Sequence, residues 1–118
     1  MIQHNTKKGF TLVEIMIVVL IIGLLMAIAV PNFISARTNS QKSTCVANLK
    51  QIEGAKEQWA MVNKKGATDT PSSTDLVGDA TSGFLKVYPS CPTSGTYDIG
   101  NMSTRPTCSN SAAGHVLQ

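Results

Sequence analysis

The sequence predicts an α+β chain, with a long N-terminal α-helix packed on a small C-terminal antiparallel β-sheet. The first half of that helix is expected to be membrane-spanning and the second half amphipathic. Three observations carry this reading. A run of 21 residues from Phe10 to Val30 is apolar apart from Thr11 and Glu14. Beyond Pro31, no proline interrupts the chain until Pro71, and Cys45, Leu49, Ile52, Ala55 or Lys56, Trp59 and Val62 recur at spacings of three and four, which marks one apolar helical face. After Gly66 only short alternating segments remain, bounded by Gly, Pro and Ser.

At about 1.5 Å per residue, the apolar run spans roughly 31 Å as a helix, close to the hydrocarbon thickness of a bilayer. Lys7 and Lys8 precede it and Arg37 lies several residues beyond, a bias that keeps the N-terminus cytoplasmic and sends the C-terminal body outward. Glu14 is the anomaly, because a carboxylate at membrane depth costs of order 2–3 kcal/mol and normally has a partner. Two bland readings of the run stand beside a functional one. The first is a secretory signal peptide cut after Ala27-Ile28-Ala29, for which the apolar region is long and Glu14 misplaced. The second is an uncleaved single-span anchor with an incidental glutamate.

The amphipathic continuation has Lys42, Lys50, Gln51, Glu53 and Glu57 on its polar face, with Lys50 and Glu53 spaced to pair. Asn63-Lys64-Lys65-Gly66 reads as its stop. A continuous helix from Phe10 would have about 53 residues and a length of roughly 80 Å, which a small globular protein does not need. Trp59 is read as a core anchor. Pro31 removes a backbone donor and crowds the preceding turn, so it marks a kink, a melted turn or the end of the span. With Gly23, it would let the anchor bend.

Of 118 residues only 14% are charged, well under the roughly 25% of ordinary soluble domains, which suits a membrane or assembly protein. The net charge of +3 depends on the first nine residues; without them eight basic side chains face seven acidic ones. That balance gives no support for nucleic-acid binding, and DNA remains a possible but unsupported partner. No nucleophile stands at a recognisable spacing from a base and an orienting group, so no catalytic residue is assigned and no cofactor is expected.

Lys7-Lys8-Gly9-Phe10-Thr11-Leu12-Val13-Glu14, followed by the apolar run to Pro31, resembles the class III leader of type IV pilins and of the pseudopilins of type II secretion and competence systems. The resemblance implies cleavage by a prepilin peptidase between Gly9 and Phe10, N-methylation of Phe10, and an assembly role for Glu14 and Pro31. It also implies a structural filament subunit serving secretion, adhesion and motility, or DNA uptake. Its partners would be further copies of the chain in a helical filament, the peptidase/N-methyltransferase, an inner-membrane assembly platform and, before assembly, the lipid bilayer. The expected location is the bacterial inner membrane, single-pass, and then a periplasmic or extracellular pilus or pseudopilus. The chemistry fits: cleavage creates a cationic amine, and Glu14 of one subunit can pair with that amine of a neighbour in an otherwise uncharged core. Alternatives are a filament-associated DNA-binding minor pilin, or a small secreted or anchored protein of unrelated function. The segments are then a leader at 1–9, the transmembrane and assembly helix at 10–31, the amphipathic helix at 32–65 and a loop-rich β-sheet body at 66–118.

In the body, residues 66–83 read as a loop with one short helical turn near Ser73 to Val77. Phe84 to Tyr88, Thr96 to Ile99 and His115 to Leu117 are strand candidates. Cys91 and Cys108 are expected to form a disulfide outside the cytoplasm, contributing on the order of 3 kcal/mol, with Cys45 left as a buried free thiol or exchanging into one of the pairs. Zinc held by Cys91, Cys108 and His115, with Cys45 as a fourth ligand, is disfavoured because the short Cys-x-x-Cys knuckle is missing. Calcium on Asp69, Asp75 and Asp79 lacks an ordered ligand pattern. His4 falls in the leader. No metal ligand is therefore assigned.

Overall fold

In a computed structural model, which describes residues 2, 7–78 and 83–118, helix α1 runs Leu12–Asn63 and passes through Pro31 without interruption. Pro31 therefore does not end the helix, although it still withholds the amide that would bond the carbonyl of Ala27. The chain divides into two compact units between Arg37 and Thr38. Every described residue from Lys7 to Ser40 is exposed, and the first buried side chain is that of Cys45.

The C-terminal unit is built on the buried face of α1, formed by Cys45, Leu49, Ile52, Ala55, Lys56 and Trp59. Val62, expected to continue this face, is 69% exposed. One apolar cluster joins Cys45 and Leu49 to Cys91 and Cys108, with Tyr97 and Leu117 against them. The other joins Ile52, Ala55 and Trp59 to Leu76, flanked by Phe84, Tyr88 and Ile99 among others.

The helix stops by a backbone device. Lys64 takes a left-handed conformation with φ of 51°, and the Lys65 amide donates to the Ala60 carbonyl at 2.9 Å, the six-to-one bond of a Schellman ending. Gly66, expected to take that part, instead donates its amide to Asp69 Oδ2 at 2.7 Å. Helix α2, Ser73–Val77, is present as expected and opens with a reciprocal cap between Ser72 and Asp75.

The sheet is smaller than expected. Strand β1, Tyr97–Asp98, pairs antiparallel with β2, Thr107–Cys108, in the register Tyr97 to Cys108 and Asp98 to Thr107. Phe84 to Tyr88 is not a strand; the amides of Phe84 and Leu85 both donate to the Leu76 carbonyl, at 3.0 and 2.9 Å, and are used up against α2. His115 to Leu117 is not a strand either, because that segment packs on α1 through Leu117. A short 3-10 turn, Ser111–Ala113, precedes it.

So little ladder needs another fastening, and Lys56 supplies it. Its side chain is 2% exposed, and its Nζ donates to the carbonyls of Ile99, Asn101 and Thr104 at 2.7, 2.8 and 2.7 Å. All three donors of the ammonium are satisfied, as a buried charge requires. Burial pulls this lysine below its ordinary range, and Glu53 and Asp98 pull it partly back. Glu53, expected beside Lys50, lies 3.7 Å from Arg105 of the same loop. Both groups are partly exposed, so this pair contributes little. Lys56→Met keeps most of the apolar stem but leaves three carbonyls without their donor. It is expected to destabilise the C-terminal unit by about 2–4 kcal/mol, measured as a lower urea midpoint of Trp59 fluorescence in the detergent-solubilised chain.

Candidate functional site

The N-terminal segment is positioned by its own capping chemistry. The Glu14 amide donates to Thr11 Oγ1 at 3.3 Å, and the Thr11 amide donates to Glu14 Oε2 at 3.3 Å. Thr11 is thus the N-cap of α1 and Glu14 its third residue, a capping box. The signal was in the sequence as Thr-x-x-Glu directly before an apolar run, but Thr11 reads there as an ordinary membrane-helix residue. The box fixes where the helix begins and aims one carboxylate at its N-terminal amides, where negative charge is favoured. Two residues earlier is the Gly9–Phe10 bond, with Phe10 82% exposed. A Cβ on Gly9 would meet nothing within 4 Å, so no packing within the folded chain calls for glycine there.

Beyond the cap, α1 is long and apolar enough to cross a membrane. Its most apolar 18-residue window has a mean hydropathy of 3.0, and none of it is buried against the rest of the chain. Pro31 lies within this helix, remote in sequence from the Thr11–Glu14 cap.

A second constellation lies in the C-terminal unit. The three cysteines are free thiols. Cys91 Sγ sits between the other two sulfurs, 3.8 Å from Cys45 Sγ and 3.8 Å from Cys108 Sγ. Since α1 brings Cys45 as close to Cys91 as the sheet brings Cys108, the distances do not single out the expected Cys91–Cys108 pair. His115 Nδ1 is 4.0 Å from Cys91 Sγ, and one ligand atom from each of the four residues falls within 4.8 Å of every other.

Four elements meet to make this group. Cys45 comes from α1. Cys91 opens a turn in which the Ser94 amide donates to the Cys91 carbonyl at 3.1 Å and Ser94 has φ of 60°. Asn48 steadies that turn, its amide donating to the Ser90 carbonyl at 3.0 Å and to the Tyr97 hydroxyl at 3.1 Å. Cys108 lies on β2 opposite Tyr97. His115 follows Gly114, whose φ of 83° and missing Cβ let the tail cross the Lys42 side chain. Burial foremost, then the neighbouring thiols, raise Cys45 well above the ordinary thiol range. Burial also acts to raise Cys91, but hydrogen bonds from the Thr93 hydroxyl and the Thr93 and Gly95 amides prevail and bring it below that range.

The acidic loop does not gather in the same way. Asp69 accepts from the Gly66 amide, and Asp75 accepts from the Ser72 amide and hydroxyl at 2.8 and 2.7 Å. Both carboxylates are engaged in local turns. Asp79 and His4 lie outside the described residues.

The prokaryotic N-terminal methylation motif matches residues 4–30. The type IV major pilin protein PilA of Myxococcus xanthus is 50% identical over 53 residues, which are 45% of this chain and 24% of that protein. The chain is thus similar to type IV pilins over its N-terminal part, where the methylation motif lies. The type II secretion system core protein G of Escherichia coli is 29% identical to it over 107 residues, covering 82% of the chain and 74% of that protein. The type IV major fimbrial protein FimA of Dichelobacter nodosus is 37% identical over 87 residues, covering 62% and 54% respectively. No solved structure matches the chain.

Within the C-terminal unit, Gly95 is tightly constrained by the thiol group. A Cβ there would stand 2.9 Å from Cys108 Sγ, 3.1 Å from Cys91 Sγ and 2.9 Å from Asn110 Nδ2. Gly95→Ala is expected to cost about 1–3 kcal/mol through overpacking. Gly54→Ala, where a Cβ meets nothing within 4 Å on α1, is expected to gain up to about 1 kcal/mol of helix propensity. Urea midpoints of the two variants should move in opposite directions.

Proposed function

We propose that this chain is a structural subunit of a type IV pilus-like filament. It is made as a precursor, held in the inner membrane by the apolar half of α1, cut between Gly9 and Phe10, methylated on Phe10 and polymerised through α1. The body then faces the periplasm or the exterior, as Lys7 and Lys8 ahead of the span favour. Chemistry on a substrate is not its task, and its partners are further copies of itself and the machinery that processes and assembles it. The observation that carries this reading is the placement of Glu14: a carboxylate held by Thr11 at the first turn of an exposed apolar helix, four residues beyond the amine that cleavage would create.

Exposed in isolation, that helix must be covered by lipid or by other α1 helices. In a bundle of such helices Glu14 would be a buried lone charge unless it met the Phe10 amine of a neighbour, and the pair would then set axial register as well as adding affinity. Pro31 has a lesser part, leaving one carbonyl of α1 without its intrahelical donor and so a place to bend.

Glu14→Gln tests this cleanly, because glutamine also completes a capping box with Thr11. Helix start, membrane insertion and cleavage should persist, with mass spectrometry finding a mature chain that begins at N-methyl-Phe10. Sheared filament should fall more than about tenfold, in line with the several kcal/mol lost when one partner of a buried pair is removed. Normal filament yield from the variant would overturn the role given to Glu14, and a mature start at Val30 would overturn the filament reading as a whole.

A further inference from the structure

We propose that Cys45, Cys91, Cys108 and His115 bind one structural zinc ion that clamps the C-terminal unit together. This rests on the body alone and is independent of how the N-terminal segment assembles. The argument begins with a mismatch between three thiols and any disulfide. Cys91 Sγ is equally far, 3.8 Å, from both other sulfurs, so a bridge to either would strand the third thiol and leave a buried histidine beside it. Cys45 is 0% exposed, Cys91 7%, Cys108 3% and His115 3%. A tetrahedral metal uses all four.

The spacing fits that use. With Zn–S bonds of about 2.3 Å and tetrahedral angles, neighbouring sulfurs stand about 3.8 Å apart, whereas a disulfide needs about 2.05 Å. His115 presents Nδ1 to the cluster, 4.0 Å from Cys91 Sγ, and the four ligand atoms lie within 4.8 Å of one another. Around zinc the sulfur-to-nitrogen distance would be about 3.5 Å, so the 4.0 Å between His115 Nδ1 and Cys91 Sγ closes by about half an ångström and the widest pair in the group by up to about 1 Å.

The surroundings are those of a thiolate site. The Thr93 and Gly95 amides and the Thr93 hydroxyl, 3.1 Å away, point at Cys91 Sγ. Gly95, with no side chain, lets the backbone approach the sulfurs of Cys91 and Cys108 closely. Asn110 Nδ2 donates to Thr93 Oγ1 at 2.7 Å and holds that hydroxyl in place. Hydrogen bonds of this kind orient ligands and disperse the charge of a metal-thiolate centre. Three sulfurs and one imidazole nitrogen select zinc over calcium or magnesium, which take oxygen ligands. Since the protein fills every position, the site has no place for a reacting water and its role is structural. Binding changes no oxidation state: three thiols each give up a proton to solvent, and the three thiolates with Zn²⁺ leave a centre of net charge −1.

The missing Cys-x-x-Cys knuckle is explained by where the ligands come from. Cys91-Pro92-Thr93-Ser94-Gly95 makes a turn around one cysteine only, and α1 supplies the sulfur that a second knuckle cysteine would give.

The full chain, purified in detergent without chelator, is expected to carry one zinc per chain by elemental mass spectrometry. After reduction and metal removal it should take up Co²⁺ with sulfur-to-metal charge-transfer absorption and the intense visible bands of tetrahedral cobalt. Cys45→Ser and Cys108→Ser should weaken Co²⁺ binding by on the order of 100-fold or more, beyond what loss of a supporting hydrogen bond does. Because either variant could fail by misfolding, His115→Cys provides the second arm: it should keep Co²⁺ and raise the charge-transfer intensity by about a third, from three sulfurs to four. A reduced chain that takes up no Co²⁺, or a His115→Cys spectrum unchanged from the parent, would overturn the assignment. So would a Cys91–Cys108 disulfide in zinc-free chain isolated from cell envelopes with its thiols blocked.

Discussion

The C-terminal unit depends on one side chain of α1, the buried lysine at position 56. Among the described residues the body has two strands of two residues each, almost no ladder to hold its loops. The carbonyls of Ile99, Asn101 and Thr104 converge on a single ammonium that offers them three donors. This fixes the loop between β1 and β2, and through it the pairing of Tyr97 with Cys108 and the position of Cys108 beneath α1. A buried ammonium this well satisfied is costly to remove, because its loss leaves three carbonyls without a donor. Its value here is specificity, since only one loop conformation presents three carbonyls to one point.

The same helix therefore does two unrelated jobs along its length. From Lys7 to Ser40 every described residue is exposed, and the stretch from Ile15 to Val30 within it carries no charged side chain. From Cys45 to Trp59 one face is buried in the body. The change comes where the apolar run gives way to Asn32, Arg37, Thr38 and Asn39, polar enough to stand in water. Helix α1 is continuous through Pro31, so the capping pair Thr11 and Glu14 and the residues that hold the body belong to one element. Glu14 combines two demands in that scheme: with Thr11 it starts the helix, and it brings a charge to where the proposed assembly needs one.

The body shows how a small unit compensates for a small core. Its fully buried apolar side chains are few, among them Leu49, Ile52 and Leu76, and domains of this size commonly need covalent or metal cross-links. The thiol and imidazole group lies at the opposite end of the buried face from Trp59, with Lys56 between them in sequence. Loops after α2 are thus fastened to the helix by apolar contact, by carbonyl capture and by the cysteine cluster in turn.

By itself the sequence determined the long helix, its apolar and amphipathic halves, the short turn at Ser73–Val77, and the basic, glycine, phenylalanine and glutamate pattern that matches the N-terminal methylation motif. All of these are local: periodicity, capping and motif spacing are written within a few turns of one element. Lys56 shows the limit, since its position beside Ala55 places it near the apolar face, but nothing nearby reveals that three carbonyls more than 40 residues away will meet it. The strands show it too: Thr107–Cys108 is too short to alternate, while Phe84 to Tyr88 alternates but bonds to α2 instead. Only tertiary structure decided how the cysteines group. Their sequence separations, 46 between Cys45 and Cys91 and 17 between Cys91 and Cys108, favoured the nearer pair by loop length, but packing against α1 makes the two distances equal. Distance in space is set by which faces are buried together, and that is a property of the whole fold.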